Sequence, residues 1–388
     1  MYNLFTIWGV FQTFIPSKSI NFIFSFVLII LISFAGYKFL EILKFPASKI
    51  VGPILAIALV QLTGITFEIP SIFKTVFSIV FGIFLGLRFD KKAVKQLRKL
   101  AIPTFVISLV YIFITLGYGE LLMRISDMDQ NTSFLSVIPG GVAESGVLAV
   151  SYGADLAQVS AFQLLRYLSI VMIIPLLTKT IIIKVVNSKT TSKSNTNIKS
   201  DTNIKSDTTL SNQEFSEDFT SLNTLRYAYY WLFIVGIFGA TLFKWLRFPA
   251  ALLLGAAFGV AILQLSVKSS FKRPPQAIYG YSQIGMGAVI GTSFTLESMR
   301  MILSLWFPML VMTTLILTTS IILGFIFSKL FKLDYLTGLM SVLPGGLSTM
   351  IVLAEDFDVN IVTISTLQLA RLLTAVMVIP ILYTIILG

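Results

Sequence analysis

The sequence predicts an all-α integral membrane protein made of two inverted repeats. Each repeat has about five transmembrane helices and one segment that a Pro-Gly-Gly triplet breaks or turns back. Three observations predict it. The 388 residues are 56% hydrophobic and only 12% charged, where an ordinary soluble domain has about 25% charged residues. The stretch Ser136-Val137-Ile138-Pro139-Gly140-Gly141 returns as Ser341-Val342-Leu343-Pro344-Gly345-Gly346, an offset of 205. Basic residues crowd opposite ends of equivalent segments in the two copies.

The elements follow in chain order. Residues 1–19 are mildly apolar, with Trp8, Phe11 and Phe14, and lack the short apolar core and small-residue cleavage site of a signal peptide, so they read as an interfacial segment. Runs long enough to cross a hydrocarbon core, roughly 20 residues for about 30 Å, fall at 21–41, 47–63, 70–88, 100–122 and 156–184. They recur at 227–246, 248–266, 277–295, 301–329 and 359–386. The Pro-Gly-Gly segments, 134–152 and 338–355, are extra in each half. Proline removes a helical hydrogen bond and glycine frees the backbone, so each is expected to be a re-entrant hairpin or a broken crossing.

The likeness extends upstream. Phe45-Pro46-Ala47 matches Phe248-Pro249-Ala250, with Gly52 and Gly255, and Gln61 and Gln264, all at an offset of 203. Gly82, Gly86, Phe89 and Pro103 match Gly287, Gly291, Phe294 and Pro308 at 205. The two glycine pairs have helix-packing spacing. The repeats therefore span 20–185 and 227–388. Between them, 186–226 is polar and of low complexity, with Asn-Ile-Lys-Ser-Asp-Thr twice in tandem at 197–208; it is expected to be a disordered linker, because it cannot bury enough apolar surface to fold.

Charge sets the orientation. Arg88, Lys91, Lys92, Lys95, Arg98 and Lys99 lie where the second half has only Arg300, whereas Lys268, Lys272 and Arg273 face Lys74 alone, and Lys329 and Lys332 face Arg124 alone. Since basic loops stay cytoplasmic, equivalent loops lie on opposite sides and the linker is cytoplasmic. Lys44 and Lys49 against Lys244 and Arg247 dissent, being equal in number.

The chain has neither cysteine nor histidine, which removes disulfides, thiolate chemistry and imidazole-ligated copper, iron or zinc. No cofactor or metal is expected, no P-loop pattern occurs, and no nucleic-acid partner is implied. The expected partners are the bilayer and a small solute or ion; a homodimer is left open.

Irregular backbone in a bilayer survives only where it is packed in protein or lines a polar cavity, so Pro139, Gly140, Gly141, Pro344, Gly345 and Gly346 are candidate walls of a substrate site. A half-helix beginning after each break would offer free N–H groups to an anion, with Glu144 in its first turn in one half and Ser348 and Thr349 in the other. Arg166 and Arg371 fall ten residues into helices starting near Leu156 and Ile361, roughly 15 Å in at 1.5 Å per residue, with Gln163 and Gln368 three positions earlier on the same face. An arginine at that depth needs a cavity or a partner. It could bind substrate, or cap carbonyls freed at the break, or pair with Glu144 or with Glu355 and Asp356. Glu144, which faces Thr349 across the duplication, could also serve as a proton site.

The duplicated Pro-Gly-Gly segment followed by Gln-x-x-Arg resembles the bacterial membrane AbrB family, over nearly the whole chain apart from the N-terminal segment and the linker. That resemblance implies a bacterial plasma (inner) membrane protein. Members are labelled ammonia monooxygenases or regulators of gene expression, and are also described as transporters grouped with cation:proton antiporter and bile-acid/arsenite transporter folds. The expected function is ion-coupled secondary transport of a small anion or organic acid, with no enzymatic activity. A regulator or sensor acting through its cytoplasmic linker is the alternative, and a monooxygenase is disfavoured by the missing metal ligands.

Overall fold

The computed structural model describes residues 18–45, 47–65, 67, 69–191, 222–248, 250–266, 276–345, 350 and 359–378. The expectations for residues 1–17, for the linker over 192–221, and for Gly346, Ser348, Thr349, Glu355 and Asp356 lie outside the described residues.

All regular structure among the described residues is helical. The first half runs α1 (Lys18–Ile42), α2 (Ser48–Gln61), α3 (Ser71–Gly86), α4 (Lys91–Lys99), α5 (Ala101–Ile125), α6 (Gln130–Val137), α7 (Val142–Tyr152) and α8 (Leu156–Thr191). The second runs α9 (Leu222–Trp245), α10 (Ala251–Ser266), α11 (Gln276–Gly291), α12 (Leu296–Ser304), α13 (Trp306–Phe331), α14 (Tyr335–Val342) and α15 (Ile361–Leu373), which continues as a π-turn over Thr374–Val378. Adding 205 to the bounds of α3, α4 and α6 gives those of α11, α12 and α14, so the duplication is structural as well as sequential.

Local chemistry repeats with it. Asp129 caps α6 by accepting from Thr132 N at 3.0 Å, and Asp334 caps α14 from Thr337 N at 2.7 Å. Asp155 and Asn360 do the same for α8 and α15. The basic connection after α3, read from sequence as a loop, is the helix α4: Asp90 caps it through Ala93 N at 2.6 Å, and Lys, Arg, Gln and Leu are good helix formers. Thr295 starts α12 in the same way.

Among the described residues, five helical stretches are long and apolar enough to cross a membrane: Ser25–Ile42, Ala101–Ile125, Leu156–Ile173, Trp306–Phe331 and Ile361–Val378. The protein is accordingly a membrane protein. On α5, Ile102, Phe105 and Phe113 point outward, a surface that suits lipid rather than water. The helices α2, α3, α10 and α11 are shorter, 14 or 16 residues each.

The halves interleave into two bodies. In the first, α1–α3 pack with α9–α11; in the second, α5–α8 pack with α13–α15. The glycine pairs make the first body possible. A β-carbon on Gly82 or Gly86 would collide with Leu253 O or Ala257 O of α10, and one on Gly287 would collide with Ile50 O of α2. Each half therefore seats its glycine face on the other half. Contacts between the bodies run mainly through α7 and α8, which lie against α3 and α11. The equivalent helices α3 and α11 run in opposite directions: the rings of Phe81 and Phe84 pack against Tyr279, edge-on and tilted, while Lys74 shares a cavity with Thr292 and Ser293.

Candidate functional site

The breaks at Pro139 and Pro344 both lie in the second body. In half one, α6 and α7 double back on each other: Asn131 at the start of α6 donates to Tyr152 O at 2.9 Å, and Asp155 N donates to Thr132 Oγ1 at 2.9 Å. The break at 138–141 is thus the tip of a hairpin whose base is pinned. In half two, Asn360 N donates to Thr337 Oγ1 at 3.1 Å, so the start of α14 meets the start of α15 as in half one.

Breaking a helix frees carbonyls, and the Gln-x-x-Arg pairs take them. Arg166 donates from Nη1 to Ile138 O and from Nη2 to Gly140 O, each at 2.8 Å. Its Nη2 also bonds Gln163 Oε1. Gln163 Nε2 reaches Leu135 O at 3.1 Å and both Ser136 O and Ile138 O at 3.2 Å. In half two, Arg371 Nη1 donates to Val342 O at 3.2 Å and to Leu343 O, while Gln368 Nε2 donates to Met340 O and, at 3.0 Å, to Leu343 O. The spacing explains the motif. Two residues three apart on one helical face set an amide and a guanidinium side by side against one turn.

Both arginines are deeply buried, 3% and 1% exposed, and lie within electrostatic reach of each other. The ion pairs among the described residues join Lys38 to Glu41 and Arg124 to Glu120; neither involves these arginines. The Nε atoms of Arg166 and Arg371 are buried without a partner among the described residues, as is Ser145 Oγ. Of the alternatives open from sequence, capping of the break is therefore realised for both arginines, and a Glu144–Arg166 pair is not.

Glu144 instead folds back over the first turn of its own helix. A β-carbon on Gly141 would meet Glu144 Oε2, so the carboxylate lies directly over this glycine. Tyr279 of α11 points its hydroxyl at Glu144 Oε1, 3.5 Å away, and Arg88 at the end of α3 lies beside the same tyrosine. The first half-helix start is thus occupied by the protein's own carboxylate.

Two residues, Tyr111 and Tyr279, escaped the sequence reading, and a third, Lys74, entered it only through its charge. Tyr111 on α5 donates its hydroxyl to Val342 O and lies under Arg371, whose guanidinium carbon is 5.8 Å from the ring centre. Tyr279 and Lys74 line the seam between the bodies. Each differs from its counterpart in the other half, where Tyr111 faces Ile316 and Lys74 faces Tyr279; departures from the repeat, rather than its identities, were the signal.

Fold and site together define a membrane protein of two duplicated halves, in each of which a buried glutamine and arginine cap carbonyls where a helix ends. The chain belongs to the family described as transition state regulatory protein AbrB, whose model matches it twice, over residues 5–182 and 185–387. It is 24% identical to "Uncharacterized protein YhjN" of Bacillus subtilis (strain 168), over 78% of this chain and 75% of that protein. It is 21% identical to "Putative regulator AbrB" of Escherichia coli (strain K12), over 86% of this chain and 88% of that protein. No solved structure matches it.

Proposed function

We propose that this protein is a multi-pass secondary transporter of a small anion or organic acid in the bacterial plasma membrane, working by ion-coupled alternating access rather than as an enzyme. The observation that carries this is the pair of buried guanidinium groups, one from each half, converging on the two breaks. Carbonyl dipoles hold a cation in place without neutralising it, and among the described residues no carboxylate lies within ion-pair range of either arginine. A buried positive centre of this kind favours an anionic guest.

The arrangement of the halves supports alternating access. Equivalent helices α3 and α11 run antiparallel, so the two-fold axis relating the halves is perpendicular to them and lies in the membrane plane if they cross it. With the Pro-Gly-Gly segments as hairpins, each half crosses five times, and the odd number inverts the second half, as the basic loops require. Inverted repeats with broken helices at their interface are a recurring transporter architecture. In this reading the body holding both breaks moves against the six-helix body, with α7 and α8 at the sliding face.

Purified full-length protein is tested for thermal stabilisation by small carboxylates, amino acids, inorganic anions and cations. A guest at a hundred times its dissociation constant adds about 2.7 kcal/mol of stability. Stabilisation by one anion class, reduced in Arg166→Gln and Arg371→Gln, is the expected result; stabilisation by cations alone, or none, sinks the proposal. The family description and the name of the Escherichia coli relative favour a second reading, regulation, for which the linker is the candidate element. Deleting residues 192–221 removes a regulatory function but leaves ligand stabilisation intact under the transport reading.

A further inference from the structure

At the seam between the bodies, where α7 ends, lies a cavity of about 480 Å³, within the roughly 300–1,000 Å³ typical of small-molecule sites. Its walls come from both bodies: Ala149, Val150 and Gly153 from the hairpin, and Lys74, Val289, Thr292 and Ser293 from α3 and the end of α11. Among the residues lining it, Lys74 is the titratable one. Phe67, Ile69 and Leu156 make the remaining wall apolar.

The duplication shows why this place is open. The counterparts of Lys74, Val289, Thr292 and Ser293 are Tyr279, Phe84, Leu87 and Arg88. There the rings of Phe84 and Tyr279 pack 5.0 Å apart, with the Tyr279 hydroxyl against Glu144. Large residues close one end of α7; at the other, valine, threonine and serine leave a void beside one ammonium. The basic residues put the closed end, with Arg88, on the cytoplasmic side and the cavity on the outer side.

We infer that this cavity is an outward-facing, anion-selective vestibule that admits small organic carboxylates to the hairpin. The inference rests on the transport reading and deepens it by naming the entry site and the class of guest. Lys74 supplies the charge that draws the carboxylate, and the apolar wall accommodates a carbon chain where an inorganic anion gains nothing. The hydroxyls of Thr292 and Ser293 spend their protons on Val289 O at 2.9 Å and Ile290 O at 2.6 Å. With their protons spent, these oxygens can only accept, so the best guests carry a hydroxyl or ammonium beside the carboxylate, as 2-hydroxy and 2-amino acids do.

The native chain has no cysteine, so a single introduced thiol reports on the cavity without background. Ser293→Cys, with Val150→Cys as a second probe, is introduced into the full chain and labelled with two methanethiosulfonates, one carrying a sulfonate and one a trimethylammonium. In intact cells both positions label from outside. In purified protein the sulfonate reagent reacts faster, relative to a free thiol control, by about tenfold or more, the scale of electrostatic focusing in a charged cleft; Lys74→Gln abolishes the preference. Lactate slows labelling at lower concentration than propionate, and sulfate does not slow it. Labelling from the cytoplasmic side only, equal or reversed charge preference, a preference surviving Lys74→Gln, or protection by sulfate alone overturns the inference. Such a failure leaves ligand stabilisation through Arg166 and Arg371 untouched, so the vestibule and the transport reading fail separately.

Discussion

The two arginine clamps look alike but differ in how many groups depend on them, and the difference is measurable. Replacing Arg166 with methionine keeps length and apolar volume while removing the donors. Gly140 O then loses the only donor it has among the described residues, and Gln163 Oε1 loses its partner too, whereas Ile138 O keeps Gln163 Nε2 at 3.2 Å. Two buried acceptors are orphaned, at about 1–3 kcal/mol each. In Arg371→Met nothing new is orphaned among the described residues. Val342 O retains the Tyr111 hydroxyl, Leu343 O retains Gln368 Nε2, and Gln368 Oε1 already lacks a partner. Both substitutions also relieve the cost of burying a guanidinium, and that relief cancels in the comparison. Arg166→Met should therefore be less stable than Arg371→Met by about 2–6 kcal/mol, read by denaturant unfolding of the purified proteins in one detergent. Equal losses, or a larger loss at Arg371, would refute the reasoning that the arginines act by holding carbonyls.

Other outcomes follow from the same contacts. Tyr111→Phe costs about 1 kcal/mol in the native chain, where Arg371 still serves Val342 O, and more in Arg371→Met; a double-mutant cycle should give a coupling of about 1 kcal/mol or more. Gly82→Ala drives a β-carbon into Leu253 O and Ala256 and costs about 1–3 kcal/mol. Gly117→Ala in α5, with nothing within 4 Å of its added carbon, gains about 0.5–1 kcal/mol; opposite signs in thermal unfolding are the check. Asp129→Ala removes the cap at the hairpin base and costs about 1 kcal/mol, with hydrogen exchange rising first at the start of α6 and not in α13.

Much of the fold could be read from the chain because the chain repeats it. Arg166 and Arg371 stood out since an ionised group in an apolar run needs a partner, and the breaks at Pro139 and Pro344 lay beside them. The partner itself could not be read. The distance from Arg166 to Gly140 O depends on α6 and α7 folding back together, which the capping contacts of Thr132 and Asp155 fix, and no local pattern encodes a contact 26 residues long. The basic run after Phe89 was legible as charge and missed as a helix, because a short amphipathic stretch beside a membrane has no long apolar run to mark it. Lys74 served from sequence only to orient the chain. Its place in a cavity follows from the smaller residues opposite it on α11, which only the packing of the two halves brings together.

The glycine faces have a consequence for how the molecule is made. Gly82 and Gly86 are shaped to receive α10, which is synthesised more than 160 residues later, and α2 waits for Gly287 and Gly291. A first half inserted alone in the bilayer has surfaces cut to fit a helix that does not yet exist, and lipid fills a bare glycine groove poorly. The halves are therefore interlocked rather than joined end to end. A chain divided within the linker should regain its structure only when both pieces are present together, and either piece by itself is a target for membrane proteolysis.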